Sequence, residues 1–253
     1  MSLTDQLALI TGSSRGLGLA IAKALHAEGC AVIINYLQPT SAPAATAAAT
    51  SLSTIAIRAD VTDPSQVQSL FTAAQSHFHR PITILVNNAL GTFKFNGPAR
   101  KTLDTITWTD FESQLRTTLQ GALNTTKCAL PHFRSAGHGR IINIGTNLVQ
   151  NPVVPYQDYT AAKGALLAFT HTTAAELGPE NITCNMVAGG LLRITDASAE
   201  TPDEIFEQIA NVTPLRRVVT PEELAGAVVF FAGLLGRACT GQQVVVDGGL
   251  VMT

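Results

Sequence analysis

The chain has 253 residues, of which 46% are hydrophobic and 13% are charged, with a formal net charge of −2 and a pI near 6.3. So much apolar sequence excludes an intrinsically disordered chain, and the weakly negative charge argues against a nucleic-acid-binding protein. The longest uncharged apolar run, residues 224–236, is shorter than the roughly 20 residues of a membrane span, so a membrane is not an expected partner either.

Seven short runs rich in β-branched and aliphatic residues alternate with longer helical patterns from end to end. They predict strands at residues 7–10, 31–35, 54–57, 82–86, 140–144, 182–187 and 243–246. Several of these runs are apolar at every position, which is typical of parallel strands covered by helices on both faces.

Helical patterns fill the intervals between the strands. They predict helices at residues 16–28, 43–51, 64–79, 108–135 and 158–177, and a last helix that begins at residues 220–223. Gly29 follows the first helix as a stop signal, and Thr220 and Pro221 open the last helix with a cap and a first-turn proline.

Residues 189–214 show no clear periodicity. Because so long a stretch in a compact domain is usually functional, we expect a flap over a ligand there.

The regular alternation of strand and helix implies right-handed crossovers between parallel strands. We therefore expect an α/β fold with a Rossmann-like, doubly wound parallel sheet of seven strands and helices on both faces, in three α/β/α layers. No linker, charge run or internal repeat divides the sequence, so residues 1–253 are expected to form a single domain. The start of the chain lacks the pattern of a signal peptide, and four scattered cysteines are expected to be buried thiols, which together predict a cytoplasmic protein.

A glycine-rich turn, Thr-Gly-Ser-Ser-Arg-Gly-Leu-Gly, follows the first predicted strand and opens the first helix. Glycines there let the chain turn tightly and let a pyrophosphate approach the helix N-terminus, where free N–H groups and the helix dipole favour anions. This context favours a dinucleotide site over the alternative, a glycine-rich turn without a ligand. The expected cofactor contacts in the turn are Gly12, Ser14, Arg15, Gly16, Leu17 and Gly18.

The end of the second predicted strand bears on the choice of cofactor. A site for NAD(H) usually has an acidic residue there to hold the ribose 2′-hydroxyl, but this strand ends at Asn35, Tyr36, Leu37 and Gln38. Arg15 in the glycine-rich turn offers a guanidinium that can pair with a 2′-phosphate. Both observations favour NADP(H) over NAD(H).

Tyr159 and Lys163 stand four residues apart in a predicted helix and so share one helix face. A free tyrosine has a pKa near 10. A nearby lysine charge stabilises the phenolate and lowers that pKa, which makes proton exchange with an alcohol or a carbonyl feasible. Such a pair arises often by chance, so by itself it does not identify an active site.

Together these motifs resemble the short-chain dehydrogenase/reductase family, and the resemblance covers essentially the whole chain. Asp60 and Val61 resemble the family's acidic and aliphatic pair beside the adenine, and the Asn-Asn-Ala segment at residues 87–89 matches the segment that faces the cofactor. Residues 246–249, Val-Asp-Gly-Gly, resemble the C-terminal signature. Residues 214–217, Pro-Leu-Arg-Arg, followed by Pro-Glu-Glu-Leu-Ala, are similar to the acyl-carrier-protein reductase branch.

The resemblance implies an NADP(H)-dependent oxidoreductase that transfers a hydride between the nicotinamide and a small-molecule carbonyl or secondary alcohol. Tyr159 would exchange the proton with the substrate oxygen, and Lys163 would bind the nicotinamide ribose and lower the pKa of Tyr159. Thr146, 13 residues before the tyrosine, would position the carbonyl, and the flap would exclude water. The implied cofactor contacts outside the glycine-rich turn are Asn35, Tyr36, Asp60, Val61, Asn88, Ala89, Tyr159, Lys163 and Gly189.

The chain departs from the family pattern beside the expected catalytic pair. Thr146 stands where the family usually has serine and keeps the hydroxyl on a stiffer side chain, and the adjoining Asn147 can share polar contacts. Thr118 replaces a helix asparagine that supports a water relay to the lysine. We expect the relay to be rearranged, or to be re-formed through a water held by Thr118. Asn124 cannot take the place of the asparagine, because it lies on another side of that helix.

Two further departures affect loops at the expected nicotinamide site. The family's Asn-Asn-Ala-Gly reads Asn-Asn-Ala-Leu at residues 87–90, and its Pro-Gly reads Gly189-Gly190, so the pocket should have an unusual shape. Phe93, Phe95 and Trp108 suit either a pocket for an apolar or aromatic substrate or packing in the core. Arg193 suits either an anionic substrate or solvent.

Two other functions stay open at this point. The departures suit a biosynthetic enzyme of the same fold that performs imine reduction, dehydration, epimerisation or cyclisation. A redox-silent, NADP(H)-binding regulatory protein is the other alternative, against which the retention of Tyr159 and Lys163 argues. The six histidines form no metal-spaced cluster, so no metal is expected.

The sparse charge also bears on assembly. The predicted helices at residues 108–135 and 158–177 and the C-terminal segment include charge-poor stretches, as a subunit interface requires. In the family that the chain resembles, these segments commonly pack against a neighbouring subunit. We therefore expect a homotetramer, or at least a homodimer.

Overall fold

A computed structural model of the chain describes residues 3–193 and 195–252. Its centre is a parallel sheet of seven strands, which confirms the predicted fold. The strands are β1 (Leu7–Ile10), β2 (Ala31–Tyr36), β3 (Ile55–Arg58), β4 (Ile84–Asn87), β5 (Gly139–Thr146), β6 (Ile182–Gly189) and β7 (Gln243–Val246). Their order across the sheet is β3-β2-β1-β4-β5-β6-β7.

The strand order places a crevice at the middle of the sheet. The chain runs outward from β1 through β2 to β3, returns to β4 on the other side of β1, and continues from there to β7. Where the winding reverses, between β1 and β4, the loops after the two strands diverge. In open α/β sheets, ligands bind in this crevice at the carboxyl ends of the strands.

Helices cover both faces of the sheet. They are α1 (Gly16–Ala27), α2 (Ala42–Ser51), α3 (Pro64–Phe78), α4 (Trp108–Leu115), α5 (Gly121–Ala136), α6 (Gln157–Leu177), α7 (Asp203–Val212) and α8 (Pro221–Ala232). Helices α1, α2 and α8 contribute to one hydrophobic core, and α3, α5 and α6 contribute to the other. The sheet separates the two cores because successive residues of a strand point to opposite faces: Ala8 and Ile10 join the first core, and Leu7 and Leu9 join the second.

Two features of the helices differ from the prediction. The helix predicted at residues 108–135 is interrupted by a π-helical turn, Arg116–Gln120, between α4 and α5. The predicted flap, residues 189–214, contains α7, whose Ile205, Phe206 and Ile209 recur at helical spacing. This helix leaves no clear periodicity in the sequence, because only Phe206 of its ten residues is buried and the pattern is brief.

Strands β5 and β6 extend beyond their predicted ends, to Thr146 and Gly189. Their register pairs Thr146 with Gly189, so both residues lie at the carboxyl edge of the sheet, beside the crevice. No helix among the described residues is long and apolar enough to cross a membrane.

Candidate active site

A cleft with a volume of about 870 Å³ opens at the carboxyl ends of the central strands. It runs from the glycine-rich turn to the start of α6. All the cofactor contacts predicted from the sequence line it: Gly12, Ser14, Arg15, Gly16, Leu17, Gly18, Asn35, Tyr36, Asp60, Val61, Asn88, Ala89, Tyr159, Lys163 and Gly189. The predicted hydroxyls of Thr146 and Thr118 are not among the described residues that line the cleft.

The glycine-rich turn leaves room for an anion at the start of α1. A Cβ on Gly18 would lie 2.5 Å from the carbonyl oxygen of Gly12, so only glycine allows this close approach. Asn88 supports the turn, since its Nδ2 donates to the carbonyls of Thr11 (2.9 Å) and Gly12 (3.1 Å). Within the described part of the chain, no side chain caps the first turn of α1, so its N–H groups are available to a pyrophosphate.

Asn35 braces the glycine-rich turn with its side chain. Its Oδ1 accepts from the backbone N–H of Gly12 (3.1 Å), and its Nδ2 donates to the carbonyls of Ile57 (3.3 Å) and Ala59 (3.1 Å). These hydrogen bonds occupy both the oxygen and the nitrogen of the Asn35 amide, and the residue is only 2% exposed. Asn35 therefore shapes the cleft rather than presenting its amide to a ligand.

Arg15 lies where the end of the cleft beside the glycine-rich turn meets the flap. Its Nη1 donates to Oγ of Ser41 (3.3 Å), just before α2, and its Nε pairs with the carboxylate of Asp196 in the flap. A guanidinium and a hydroxyl together suit a phosphate. Sequence reasoning missed Ser41 and Asp196, since both come to Arg15 from distant parts of the chain.

The catalytic candidates meet at the other end of the cleft. Tyr159 and Lys163 lie on α6, and the Thr146 side chain lies at the end of β5, next to that of Tyr159. The Nζ of Lys163 donates to the carbonyl of Ile144 (2.7 Å) and lies 5.8 Å from the centroid of the Tyr159 ring. The predicted side chains are therefore close together.

The pKa of Tyr159 is shifted opposite to the expected direction. Burial raises this pKa to about 12, and the hydrogen bond from Thr146 opposes the shift without cancelling it. Burial also lowers the pKa of Lys163 to about 8. The net shift of the pKa of Tyr159 is therefore upward rather than downward, because desolvation of the phenol is the largest effect on it.

An aromatic cluster of Phe93, Phe95, Tyr156 and Tyr159 surrounds the phenol of Tyr159. The ring of Phe93 stacks on that of Tyr159 with 4.1 Å between centroids and 12° between planes. Phe95 meets Tyr159 edge-on at 5.9 Å, and Phe93 also contacts Tyr156 edge-on at 5.3 Å. Phe93 and Phe95 line the cleft, whereas Trp108 is exposed and stacks on Phe111 instead.

The flap is attached to the segment that carries these two phenylalanines. The backbone N–H of Phe95 donates to the carbonyl of Ala197 (2.8 Å), and the Thr201 hydroxyl donates to the carbonyl of Phe95 (3.4 Å). Lys94 pairs with Glu200 of the flap. Residue 194 of the flap lies outside the described part of the chain.

Arg193 does not present an unpaired guanidinium to the cleft. It forms an ion pair with Asp203 at the start of α7 and lies over the ring of Phe206, 4.9 Å from its centroid. Its charge is therefore already compensated within the flap.

Thr118 lies in the π-helical turn and faces a second, much smaller cavity. This cavity, of about 10 Å³, also has Thr11, Asn87 and Lys163 in its walls, and its size suits one water molecule. The buried hydroxyl of Thr118 has no hydrogen-bond partner within residues 3–193 and 195–252. Asn124 instead donates to the carbonyl of Val61 (3.0 Å), in agreement with its expected orientation away from this position.

Asn147 holds the C-terminal segment. Its Nδ2 donates to a carboxylate oxygen of Asp247 (2.9 Å), and that carboxylate also accepts the backbone N–H groups of Gly249 and Val251 (both 3.0 Å). A Cβ on Gly190 would lie 3.1 Å from this Asn147 nitrogen, so the second glycine of the altered pair makes space for the contact. No group of three or more metal-ligating side chains occurs among the described residues.

Comparisons with known proteins agree with this geometry. The family model described as Enoyl-(Acyl carrier protein) reductase matches residues 12–251. The chain is 37% identical to a 3-oxoacyl-[acyl-carrier-protein] reductase of Synechocystis, with 99% of each chain covered. It is 32% identical to the chloroplastic NADPH-dependent aldehyde reductase 2 of Arabidopsis thaliana, with 100% of this chain and 96% of the relative covered.

Two similar solved structures contain the cofactor. One is a blue fluorescent protein from a metagenomic library in complex with NADPH, with a TM-score of 0.88, 32% identity and 100% of both chains covered. The other is a gluconate 5-dehydrogenase of Burkholderia cenocepacia in complex with NADP and tartrate, with a TM-score of 0.88, 30% identity, and 98% of this chain and 96% of that chain covered. The chain thus belongs to the short-chain dehydrogenase/reductase family of oxidoreductases, in the branch that resembles the 3-oxoacyl-[acyl-carrier-protein] reductases.

Proposed function

We propose that this enzyme reduces the carbonyl group of a small molecule to an alcohol with NADPH, and catalyses the reverse oxidation with NADP⁺. The observation that carries the proposal is the grouping of Tyr159, Thr146 and the buried Lys163 at the end of a cleft whose volume of about 870 Å³ has room for a dinucleotide. Retention of this whole set favours redox chemistry over the alternative of a redox-silent regulatory protein.

The residues of the cleft fit NADP(H). The glycine-rich turn and the free N–H groups of α1 suit the pyrophosphate, because a Cβ at Gly18 would fill the space where the backbone must stay close. Arg15 and Ser41 suit the 2′-phosphate, and no carboxylate follows β2 to bind a ribose 2′-hydroxyl. NADP(H) is accordingly the cofactor, as in the similar structures that contain NADPH or NADP.

The chemistry divides between the cofactor and the chain. When bound, NADPH supplies the hydride that reduces the carbonyl carbon. Tyr159 donates a proton to the carbonyl oxygen, and the Thr146 hydroxyl holds that oxygen by a second hydrogen bond. Lys163 keeps its charge near the phenol, which favours the phenolate that remains. One hydride and one proton convert the carbonyl to the alcohol.

Apolar side chains beside Tyr159 favour an uncharged substrate. Phe93, Phe95 and Leu192 line the cleft, and Lys94 between the two phenylalanines forms an exposed ion pair with Glu200. A neutral carbonyl compound is therefore the proposed substrate.

Oxidation of NADPH, followed by its absorbance with a panel of aldehydes, ketones, quinones and β-ketoacyl thioesters, tests this function. We expect turnover with neutral carbonyl compounds and a loss of roughly 10²- to 10⁴-fold in kcat for Tyr159→Phe, which removes only the acidic hydroxyl. Product analysis separates reduction from dehydration, epimerisation or cyclisation, which would leave NADPH unoxidised. No turnover on the whole panel, with NADPH bound normally, would contradict the proposal.

A further inference from the structure

In this structure the Phe93 ring covers one face of the Tyr159 ring, beside the candidate catalytic hydroxyls. It lies parallel to the Tyr159 ring at 4.1 Å, and Tyr159 is only 6% exposed. Thr146 is 3% exposed and does not belong to the described walls of the cleft. A carbonyl oxygen needs room beside both hydroxyls, and Phe93 is the neighbouring ring that both stacks on Tyr159 and borders the cleft, so it is the group whose movement would make that room.

The backbone around Phe93 couples this movement to the flap. Both the N–H and the carbonyl of Phe95 bond to the flap, through Ala197 and Thr201, and Lys94 pairs with Glu200. A displacement of the flap therefore pulls the segment that carries Phe93. Gly91 and Gly97 lie on either side of this segment, and Gly97 has a φ of +51°, so the backbone can turn at its ends.

We infer that the Phe93 ring holds the place of an aryl group of the substrate, and that the enzyme selects neutral carbonyl compounds that carry such a ring. The inference rests on the proposed carbonyl reduction and names its substrate class. When Phe93 leaves, Tyr159 loses a stacked ring. A substrate with an aryl group restores that stacking, whereas a saturated group of the same size restores only the apolar contact.

The neighbouring rings favour the same class of substrate. Phe95 lies nearly perpendicular to both stacked rings, with 5.9 Å between its centroid and that of Tyr159 and 5.0 Å to that of Phe93, so it makes a T-shaped contact with the position of the stacked ring. Edge-to-face contact of this kind stabilises an aromatic guest through the quadrupole of its ring. Leu90 and Leu192 add apolar walls to the cleft, which suit a ring without a charged substituent.

Two ketones of equal chain length test the preference. Phenylacetone and cyclohexylacetone place a flat or a saturated ring at the same distance from carbonyls of similar reactivity. We expect the wild-type enzyme to favour phenylacetone in kcat/KM by roughly two- to tenfold, the range of a single stacking contact. If both are poor substrates, their inhibition constants against any carbonyl the enzyme reduces report the same ratio.

Variants at Phe93 test whether its ring leaves the pocket before the reaction or stays there as a fixed wall. In Phe93→Ala, substrates no longer have to displace a stacked ring. Phe93→Leu serves the same purpose if the alanine variant does not fold. We expect kcat/KM to rise by a similar factor, roughly two- to tenfold, for both ketones, so that their ratio is unchanged. Phe78→Leu, on the distant helix α3, is the control for loss of a phenyl ring and should change neither value.

Three outcomes would overturn the inference. Equal values for the two ketones in the wild type would exclude the aryl preference while leaving carbonyl reduction intact. A fall in kcat/KM for phenylacetone alone in both Phe93 variants would show that Phe93 is a fixed wall. If no carbonyl compound of any class is reduced by any variant, the proposed function itself fails, and this inference fails with it.

Discussion

Replacing Thr118 with valine tests how Lys163 is held in the active site. The Thr118 hydroxyl is buried without a partner among the described residues and faces the cavity of about 10 Å³ that also borders Lys163. An unpaired buried hydroxyl destabilises a fold by about 1–3 kcal/mol, whereas a water bonded to both groups removes that cost. We therefore expect a water in this cavity, bonded to the hydroxyl and to the lysine.

Valine has nearly the shape of threonine, so the variant removes one hydrogen bond to this water and little else. One net hydrogen bond contributes about 1 kcal/mol, which corresponds to a roughly fivefold lower kcat if the water supports charged Lys163 during the reaction. Burial already lowers the pKa of Lys163 to about 8, and loss of the water lowers it further. Because the lysine loses its charge as the pH rises, the alkaline fall in kcat should begin at a lower pH in the variant.

The assay is the dependence of kcat and KM on pH for Thr118→Val and for Thr118→Ser, which keeps the hydroxyl. We expect the serine enzyme to resemble the wild type and KM for NADPH to be similar in all three proteins. An unchanged kcat and pH profile for the valine enzyme, together with a free energy of unfolding higher by about 1 kcal/mol or more, would refute the reasoning. That result would mean that the hydroxyl is simply unpaired and binds no water of consequence.

Three further predictions follow from the cleft and its surroundings. Arg15→Ala should raise the KM for NADPH by about tenfold and change the KM for NADH little, because NADH lacks the 2′-phosphate that the guanidinium would bind; steady-state kinetics with both cofactors checks this. Asn147→Ala should lower the free energy of unfolding by about 2 kcal/mol in chemical denaturation, because the Asp247 carboxylate loses a side-chain donor. Sedimentation at micromolar concentration should show a tetramer, or at least a dimer, since apolar side chains near the C-terminus are exposed; a stable monomer would contradict this. These side chains are Leu234, Leu235 and Met252, which are 64%, 70% and 81% exposed.

The fold could be predicted almost completely because its signals are local. Apolar runs such as Leu7–Ile10 and Ile84–Asn87 are buried on both faces, and the alternation with helices implies the parallel order. Helix α7 was missed because ten residues with a single buried side chain give a weak periodic signal. The π-helical turn at Arg116–Gln120 has no sequence signature of its own, since it depends on how α4 and α5 pack on the rest of the chain.

The sequence predicts which candidate residues lie near one another but not their contacts. Gly18, Tyr159 and Lys163 all line the cleft, because strand ends and helix starts meet at one edge of a parallel sheet. They could not show that Asp196 reaches Arg15 or that Phe93 stacks on Tyr159. Those contacts join segments that are far apart in the chain, and such contacts leave no periodic pattern in the sequence.

The pKa of Tyr159 illustrates what spacing leaves out. The four-residue interval puts Lys163 on the same helix face, but the stacked Phe93 ring and the surrounding walls desolvate the phenol, and desolvation is the larger effect. A phenol with a pKa of about 12 is a poor partner for proton exchange at neutral pH. The spacing of Tyr159 and Lys163 therefore predicts which two groups meet, but not the direction of the pKa shift, because that direction depends on how distant segments bury the phenol.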